Sequence, residues 1–197
     1  MSTLRLFVGL PLPAEQKERL AAVCRRLDRE LSFQKWTHPD DFHITLKFLG
    51  ETPVSRLPSV EEAVRRSAGG YAPFPLSVEG LGCFGPADRP NVLWAGVRGD
   101  TRRLSQLKRR VDAALSDAGF AEERRPFRPH ITLARRFRGD GRAAAPDAAA
   151  LRRLAEAEVN GMLVWQAEEI VLYVSHLGKT PSYERAAAYP LYGDLER

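Results

Sequence analysis

Apolar positions along the chain switch between a period of two and a period near 3.6, and each switch predicts an element. Leu6-Phe7-Val8-Gly9-Leu10 is a short apolar run closed by Pro11 and Pro13, which reads as a strand. Leu20, Val23, Leu27 and Leu31 then recur at helical spacing, predicting an amphipathic helix over 14–31. Residues 43–49 alternate again, 54–68 form a second helical stretch, and 76–84 a further strand. The succession restarts at Leu93-Trp94-Ala95-Gly96-Val97. A helix over 101–118 follows, carried by Leu104, Leu107, Val111, Leu115 and Ala118, with Thr101 as its expected N-cap and Gly119 as its stop. A strand at 130–137, a helix at 147–159 and a strand at 170–176 complete it.

The restart is a repeat. Gly9 and Gly96 of the two opening strands stand 87 positions apart (96 − 9), and His43-Ile44-Thr45-Leu46 recurs identically as His130-Ile131-Thr132-Leu133 at the same interval (130 − 43). Two independent matches at one offset indicate a diverged duplication, roughly 4–87 and 91–190, within a single bilobal domain over 1–197. Strands followed by helices in each half predict an α+β fold: two mostly antiparallel sheets with flanking helices, related by a pseudo-two-fold axis.

In a strand, residues i and i+2 share a face. His43 and Thr45 therefore project together, as do His130 and Thr132, while Ile44, Leu46, Ile131 and Leu133 point into the core. Lobes facing each other would bring two imidazoles and two hydroxyls around one point. Such a set suits phosphoryl chemistry without a metal. One imidazole takes a proton from water and the other protonates the departing oxygen, while the hydroxyls hold the non-bridging oxygens. A lone strand histidine is usually structural; two identical copies in a repeat that has lost most other identities point to function.

These residues carry a resemblance. His43-Ile44-Thr45-Leu46 and His130-Ile131-Thr132-Leu133-Ala134-Arg135 resemble the paired signatures of the two-histidine (2H) phosphoesterases. Trp36-x-x-Pro39-x-Asp41-x-His43 and Lys47-Phe48-Leu49-Gly50-Glu51 are similar to the LigT-like branch, RNA 2′,3′-cyclic phosphodiesterases. The resemblance implies a LigT-like bilobal fold and hydrolysis of a 2′,3′-cyclic phosphate to a 2′-phosphomonoester. It further implies His43 as proton donor, His130 as proton acceptor, and Thr45, Thr132 and Arg135 as substrate-binding groups. The expected partner is RNA or a nucleotide with a cyclic phosphate end, with no cofactor and no metal. The same site run in reverse would be an RNA 2′-5′ ligase, and a basic cleft alone would serve a non-catalytic RNA-binding module.

Charge sharpens this picture. The 197 residues carry a net charge of +5, and residues 124–138 hold six arginines (124, 125, 128, 135, 136 and 138) and no acid. That cluster brackets the second motif and predicts an electrostatic funnel for phosphates, Arg135 being the residue nearest the chemistry. Gly139-Asp140-Gly141-Arg142 and the alanines after it predict a surface insertion. Phe48, at i+5 from His43, is expected in the core of a regular strand, as is Tyr183, with Trp36 either there or on a cleft wall. His38 and His176 stand in no zinc-like spacing. No Walker loop, G-x-G-x-x-G or G-x-S-x-G is present. Two cysteines, Cys24 and Cys83, make no disulfide framework, and neither a membrane-length apolar run nor a secretory signal appears; a cytoplasmic monomer away from membranes is expected.

Overall fold

The computed structural model describes residues 2–123, 125–138, 145–161 and 163–193. The expected insertion at 139–142 and Arg124 lie outside these residues. Nine strands and four helices succeed one another among the described residues: β1 (Thr3–Pro11), α1 (Ala14–Leu27), β2 (Phe33–Trp36), β3 (His43–Pro53), α2 (Leu57–Ala68), β4 (Phe74–Phe84), β5 (Val92–Gly99), α3 (Thr101–Asp117), β6 (His130–Phe137), α4 (Ala148–Glu158), β7 (Val164–Ala167), β8 (Glu169–Ser175) and β9 (Tyr183–Pro190).

Most of these elements follow the hydrophobic period, and the departures have local causes. Asp100, not Thr101, caps α3, because its carboxylate accepts from the Arg103 amide at 3.0 Å and leaves Thr101 as the first helical residue. Gly119 stops the helix as expected, at φ +84°, a conformation glycine adopts without penalty. α1 ends at Leu27, four residues early, yet Leu31 is still buried because the following turn tucks it back. The stretch 54–56 is a single 3-10 turn leading into α2, whose Pro58 occupies the first helical turn, where no amide partner is lost. β2, β7 and β9 lack a readable pattern: two are four residues long, and β9 is an edge strand of mostly exposed residues.

All strand pairs are antiparallel, and the order is β7-β4-β5-β6-β3-β1-β8-β9. The two expected sheets meet edge to edge at one register pair, Ile44↔Ile131, and so run on as a single sheet. β2 pairs with β6 off this path and has no counterpart; the other eight strands are symmetric about the seam, β3, β1, β8 and β9 on one side answering β6, β5, β4 and β7 on the other. β4, from the first repeat, pairs with β5, and β8, from the second, pairs with β1. The short connection at 85–91 makes β4 and β5 a hairpin, the cheapest antiparallel pairing. Each lobe thus borrows its third strand from the other repeat.

Helices cover one face of this sheet. The resulting core joins both halves, with Leu20, Val23, Leu27, Ile44, Val60, Leu104, Leu107, Val111 and Ile131 all at or near zero exposure. Burying each such aliphatic side chain contributes about 1.5–3 kcal/mol. A small second cluster of Phe7, Val171 and Tyr173, with Tyr183 against it, lies apart from this core. Lys47 of β3 is also buried, pairing with Asp112 of α3 at 3.2 Å and donating to the Ala121 carbonyl at 2.6 Å. Lys108 binds the other Asp112 oxygen, so three charges tie α3 to β3 and to the segment that leads into His130.

Candidate active site

The seam between the halves is where the chemistry gathers. Ile44 and Ile131 pair with their side chains in the core. Carrying that antiparallel register one residue either way sets His43 opposite Thr132 and Thr45 opposite His130, so each imidazole faces the hydroxyl of the other repeat. Directly opposed residues have Cβ atoms about 4.5–5.5 Å apart. The four groups therefore form one compact set on the helix-free face.

Both rings are held in the same way. His43 Nδ1 lies 2.7 Å from the Asp41 carbonyl oxygen, and His130 Nδ1 lies 2.7 Å from the Arg128 carbonyl oxygen. A carbonyl only accepts, so Nδ1 carries the proton in each ring and Nε2 keeps its lone pair in the neutral form. His43 Nε2 receives the Thr45 hydroxyl at 3.0 Å. Burial pushes the His43 pKa down to about 4, against the opposing pull of the Asp41 carbonyl; His130 and Arg135 lower it slightly further. His130 is lowered by the same cause, opposed by its bond to the Arg128 carbonyl and aided by Arg135. Near neutral pH both rings are bases, and an acid among them needs an anion beside it.

Aromatic side chains pack the rings from behind. Phe7 lies 4.7 Å from His43 between ring centroids, Tyr173 at 5.7 Å, and Tyr183 meets the imidazole edge-on at 5.1 Å. Phe84 sits edge-on to His130 at 4.9 Å, with Trp94 at 6.3 Å. Phe7 and Trp94 are again 87 positions apart (94 − 7), a signal already present in the opening strands of the repeat. Gly9 leaves room for this arrangement: a Cβ there would come within 2.9 Å of the Ile44 carbonyl oxygen and 3.3 Å of the His43 ring.

Asp41 is the residue that pattern reasoning passed over. Its carboxylate is buried and accepts the Ser182 amide at 2.8 and 3.0 Å and the Tyr183 amide at 2.9 Å. One residue thus orients His43 through its carbonyl and fixes Tyr183 against that ring through its side chain. Its place in the Asp41-x-His43 spacing was the only trace of this in the sequence. Tyr183 is accordingly a half-buried neighbour of His43 rather than a core residue.

Phe48 also leaves its expected place. A β-bulge opposite Val8 and Gly9 inserts Leu46, so that Leu46 and Lys47 are both buried and Phe48 turns outward, 64% exposed. A matching bulge opposite Leu93 and Trp94 inserts Leu133, buries Leu133 and Ala134, and turns Arg135 to the cleft. An extra residue reverses the side-chain alternation beyond it. Period-two reasoning had no means of placing either residue.

The cleft has two connected compartments sharing Thr132 and Arg135. A smaller one, about 290 Å³, is bounded by Trp36, Asp41, His43 and Tyr183. A wider one, about 610 Å³, is bounded by Thr45, Phe48, Phe84, Arg125, Arg128 and His130. Trp36 is therefore a cleft wall. Of the arginine cluster, Arg125, Arg128 and Arg135 border the cleft, Arg125 being engaged by Glu123 at 2.7 Å. His176 binds Glu184, and His38 accepts the Asp40 amide in its own turn. Among the described residues no three His, Cys, Asp or Glu side chains converge as a metal site, and no helix is long and apolar enough to cross a membrane. Burial raises the Cys24 and Cys83 thiols to about 12 and 11, which leaves both protonated.

The family described as LigT like Phosphoesterase matches residues 10–94 and 97–183. An RNA 2′,3′-cyclic phosphodiesterase of Geobacillus stearothermophilus is 39% identical over 194 residues, covering 98% of this chain, which spans 59% of that protein's length. The Bacillus subtilis RNA 2′,3′-cyclic phosphodiesterase is 32% identical over 186 residues, covering 94% of this chain and 95% of its own. Among solved structures, apo Escherichia coli LigT shares the fold at a TM-score of 0.74 and 24% identity, covering 97% of this chain and 99% of its own. A Thermus thermophilus protein does so at 0.73 and 29%, covering 96% and 99%.

Proposed function

The chain belongs to the LigT-like phosphoesterase family, and on that premise we propose that it hydrolyses 2′,3′-cyclic phosphate ends of RNA or nucleotides to 2′-phosphomonoesters. The observation that carries the reading is the pair of identically clamped histidines, each with Nδ1 on a carbonyl and each across the seam from a threonine.

The cyclic phosphate lies between the rings. Water attacks phosphorus as His130 Nε2 takes its proton; the bond from phosphorus to the 3′ oxygen breaks as protonated His43 gives its proton to that oxygen. A 2′-phosphate and a 3′-hydroxyl result, and proton exchange with solvent resets the pair. Thr45 and Thr132 donate to the non-bridging oxygens. Thr45 is free to do so once Nε2 of His43 carries a proton and no longer accepts its hydroxyl. Arg135 neutralises the charge that builds on the phosphate. The bound anion also raises both imidazole pKa values against burial, so binding itself supplies the acid. No cofactor enters these steps.

Both histidines come from one chain, so the site is complete without a partner subunit, which supports action as a monomer by one bilobal domain repeated roughly over 4–87 and 91–190. The test is incubation of purified protein with EDTA and a short RNA ending in a 2′,3′-cyclic phosphate. A 2′-phosphate product is expected. A 3′-phosphate product, or turnover only with an added metal, overturns the reading.

A further inference from the structure

The two histidines are clamped alike, but the chain that supplies each clamp is held differently. Ahead of His43, a 3-10 turn (Pro39–Asp41) and the bonds of the Asp41 carboxylate fix the carbonyl that receives Nδ1. The position of the second repeat that answers Asp41 is Arg128 (128 − 41 = 87), which has no carboxylate with which to anchor itself. Its carbonyl must nevertheless hold His130 Nδ1, although the connection from α3 to β6 forms no helix or strand among its described residues. That connection needs another support.

Buried charges supply it. Lys47 of β3 donates to the Ala121 carbonyl at 2.6 Å, near the start of the connection. Lys108 of α3 stands 6.0 Å from the centre of the Phe127 ring, beside Arg128 at its end. One carboxylate, that of Asp112, joins the two ammonium groups, meeting Lys47 at 3.2 Å and Lys108 through its other oxygen. Arg56 adds a bond to the Ala118 carbonyl and lies over Phe120. Within the connection Pro126 and Pro129 fix their own φ angles, which leaves fewer torsions to absorb a displacement at Ala121 before it reaches Arg128.

Stability alone does not explain this arrangement. Two buried cations on one carboxylate leave an excess charge, which costs free energy. The position answering Lys47 is Ala134 (134 − 47 = 87), buried without any charge, so a strand of this kind folds without the lysine. What Lys47 adds is a donor that reaches from the first repeat to the clamp of the second. We propose that Lys47, joined through Asp112 to Lys108, is a positioning residue for His130: it holds the connection so that the Arg128 carbonyl keeps hydrogen on Nδ1 and leaves Nε2 free to accept. This rests on the cyclic phosphodiesterase reading for the part that His130 plays. A ring released from that carbonyl exchanges tautomers, and the form with hydrogen on Nε2 cannot take a proton from water.

The test compares wild type with Lys47→Met and Lys108→Met. Each substitution keeps an apolar stem and leaves the other lysine and Asp112 as a neutral pair, so both variants are expected to fold, which thermal melting checks. Steady-state kinetics on cytidine 2′,3′-cyclic phosphate are paired with long-range ¹H–¹⁵N spectra of the imidazoles at about pH 8, above the ordinary histidine range. In Lys47→Met kcat is expected to fall about tenfold with KM little changed, a part of the roughly 10²–10⁴-fold that a positioned proton carrier contributes. His130 should pass from the Nδ1–H form to a mixture of tautomers while His43 keeps its own. A folded Lys47→Met with wild-type kcat, or with the His130 tautomer unchanged, overturns the proposal. So does an equal change at His43, which would mean general loosening. If Lys47→Met does not fold, Lys108→Met decides by the same two readouts. If wild type leaves the cyclic nucleotide intact, the phosphodiesterase reading fails by itself, and the His130 tautomer in the variants still decides the positioning.

Discussion

Phe48 and Arg135 are the same position of the repeat, 87 residues apart (135 − 48), and each is the first residue that a bulge returns to the cleft. The two histidine strands share even their burial sequence up to that point, half-buried His, buried Ile, half-buried Thr, two buried residues and then an exposed one. What the duplication kept identical is the His-Ile-Thr-Leu segment; what it let diverge is the residue beyond the bulge, aromatic in one half and cationic in the other. Because β3 and β6 run antiparallel through Ile44↔Ile131, the two diverged residues lie toward opposite ends of the cleft and break its symmetry.

His43→Ala and His130→Ala are each expected to lower kcat by about 10²–10⁴, the usual contribution of a positioned proton carrier. Circular dichroism and thermal melting should show both variants folded. A folded variant with wild-type kcat would remove that histidine from the mechanism.

The pH dependence follows from burial. The proposed mechanism needs one ring protonated and one neutral. In the free protein His43 titrates near 4 and His130 below the usual histidine value of 6.5, so kcat/KM should peak on the acid side of neutrality and fall as pH rises further. The bound phosphate favours the protonated forms, so the kcat profile should be displaced upward in pH relative to kcat/KM. Stability carries the opposite sign: between 6.5 and about 4 the unfolded chain binds more protons at His43 than the folded one, and stability falls with falling pH across that window. Denaturant titrations of wild type and His43→Gln at pH 7 and pH 4.5 should show the slope reduced in the variant.

Arg135→Ala is expected to raise KM or lower kcat even on a mononucleotide, since Arg135 borders both compartments with Thr132. Arg125→Ala should matter only on longer RNA, because its guanidinium is already engaged by Glu123 and stands at the rim. Removing a single arginine–phosphate pairing should flatten the salt dependence of single-strand binding by roughly 0.7 in log–log slope. Equal effects of the two substitutions on a mononucleotide would contradict this division.

Asp112→Ala leaves the buried ammonium groups of Lys47 and Lys108 without their shared carboxylate and should destabilise the fold by about 3–5 kcal/mol. Lys47→Met should cost less, because the equivalent position of the other repeat, Ala134, is buried without any charge. Urea unfolding of the two variants gives the comparison directly.

Much of this protein was legible in its sequence. The interval of 87 residues located both histidine strands, the helices after each opening strand followed their apolar stripes, and His43, Thr45, His130 and Thr132 shared a face by strand alternation alone. These are local relations, governed by period and spacing. Tertiary structure decided the rest. A bulge is one extra residue opposite a neighbouring strand, invisible without the partner, and it reversed the expected burial of Phe48 and brought Arg135 to the cleft. The exchange of β4 and β8 between lobes is set by their pairing with β5 and β1, which the strands' own periodicity does not encode. Asp41 acquired its double role only when the segment at 182–183 came to rest on its carboxylate. Alternation fixes which way a side chain points within its own strand; pairing across the sheet determines where the alternation resets, and there the sequence by itself is silent.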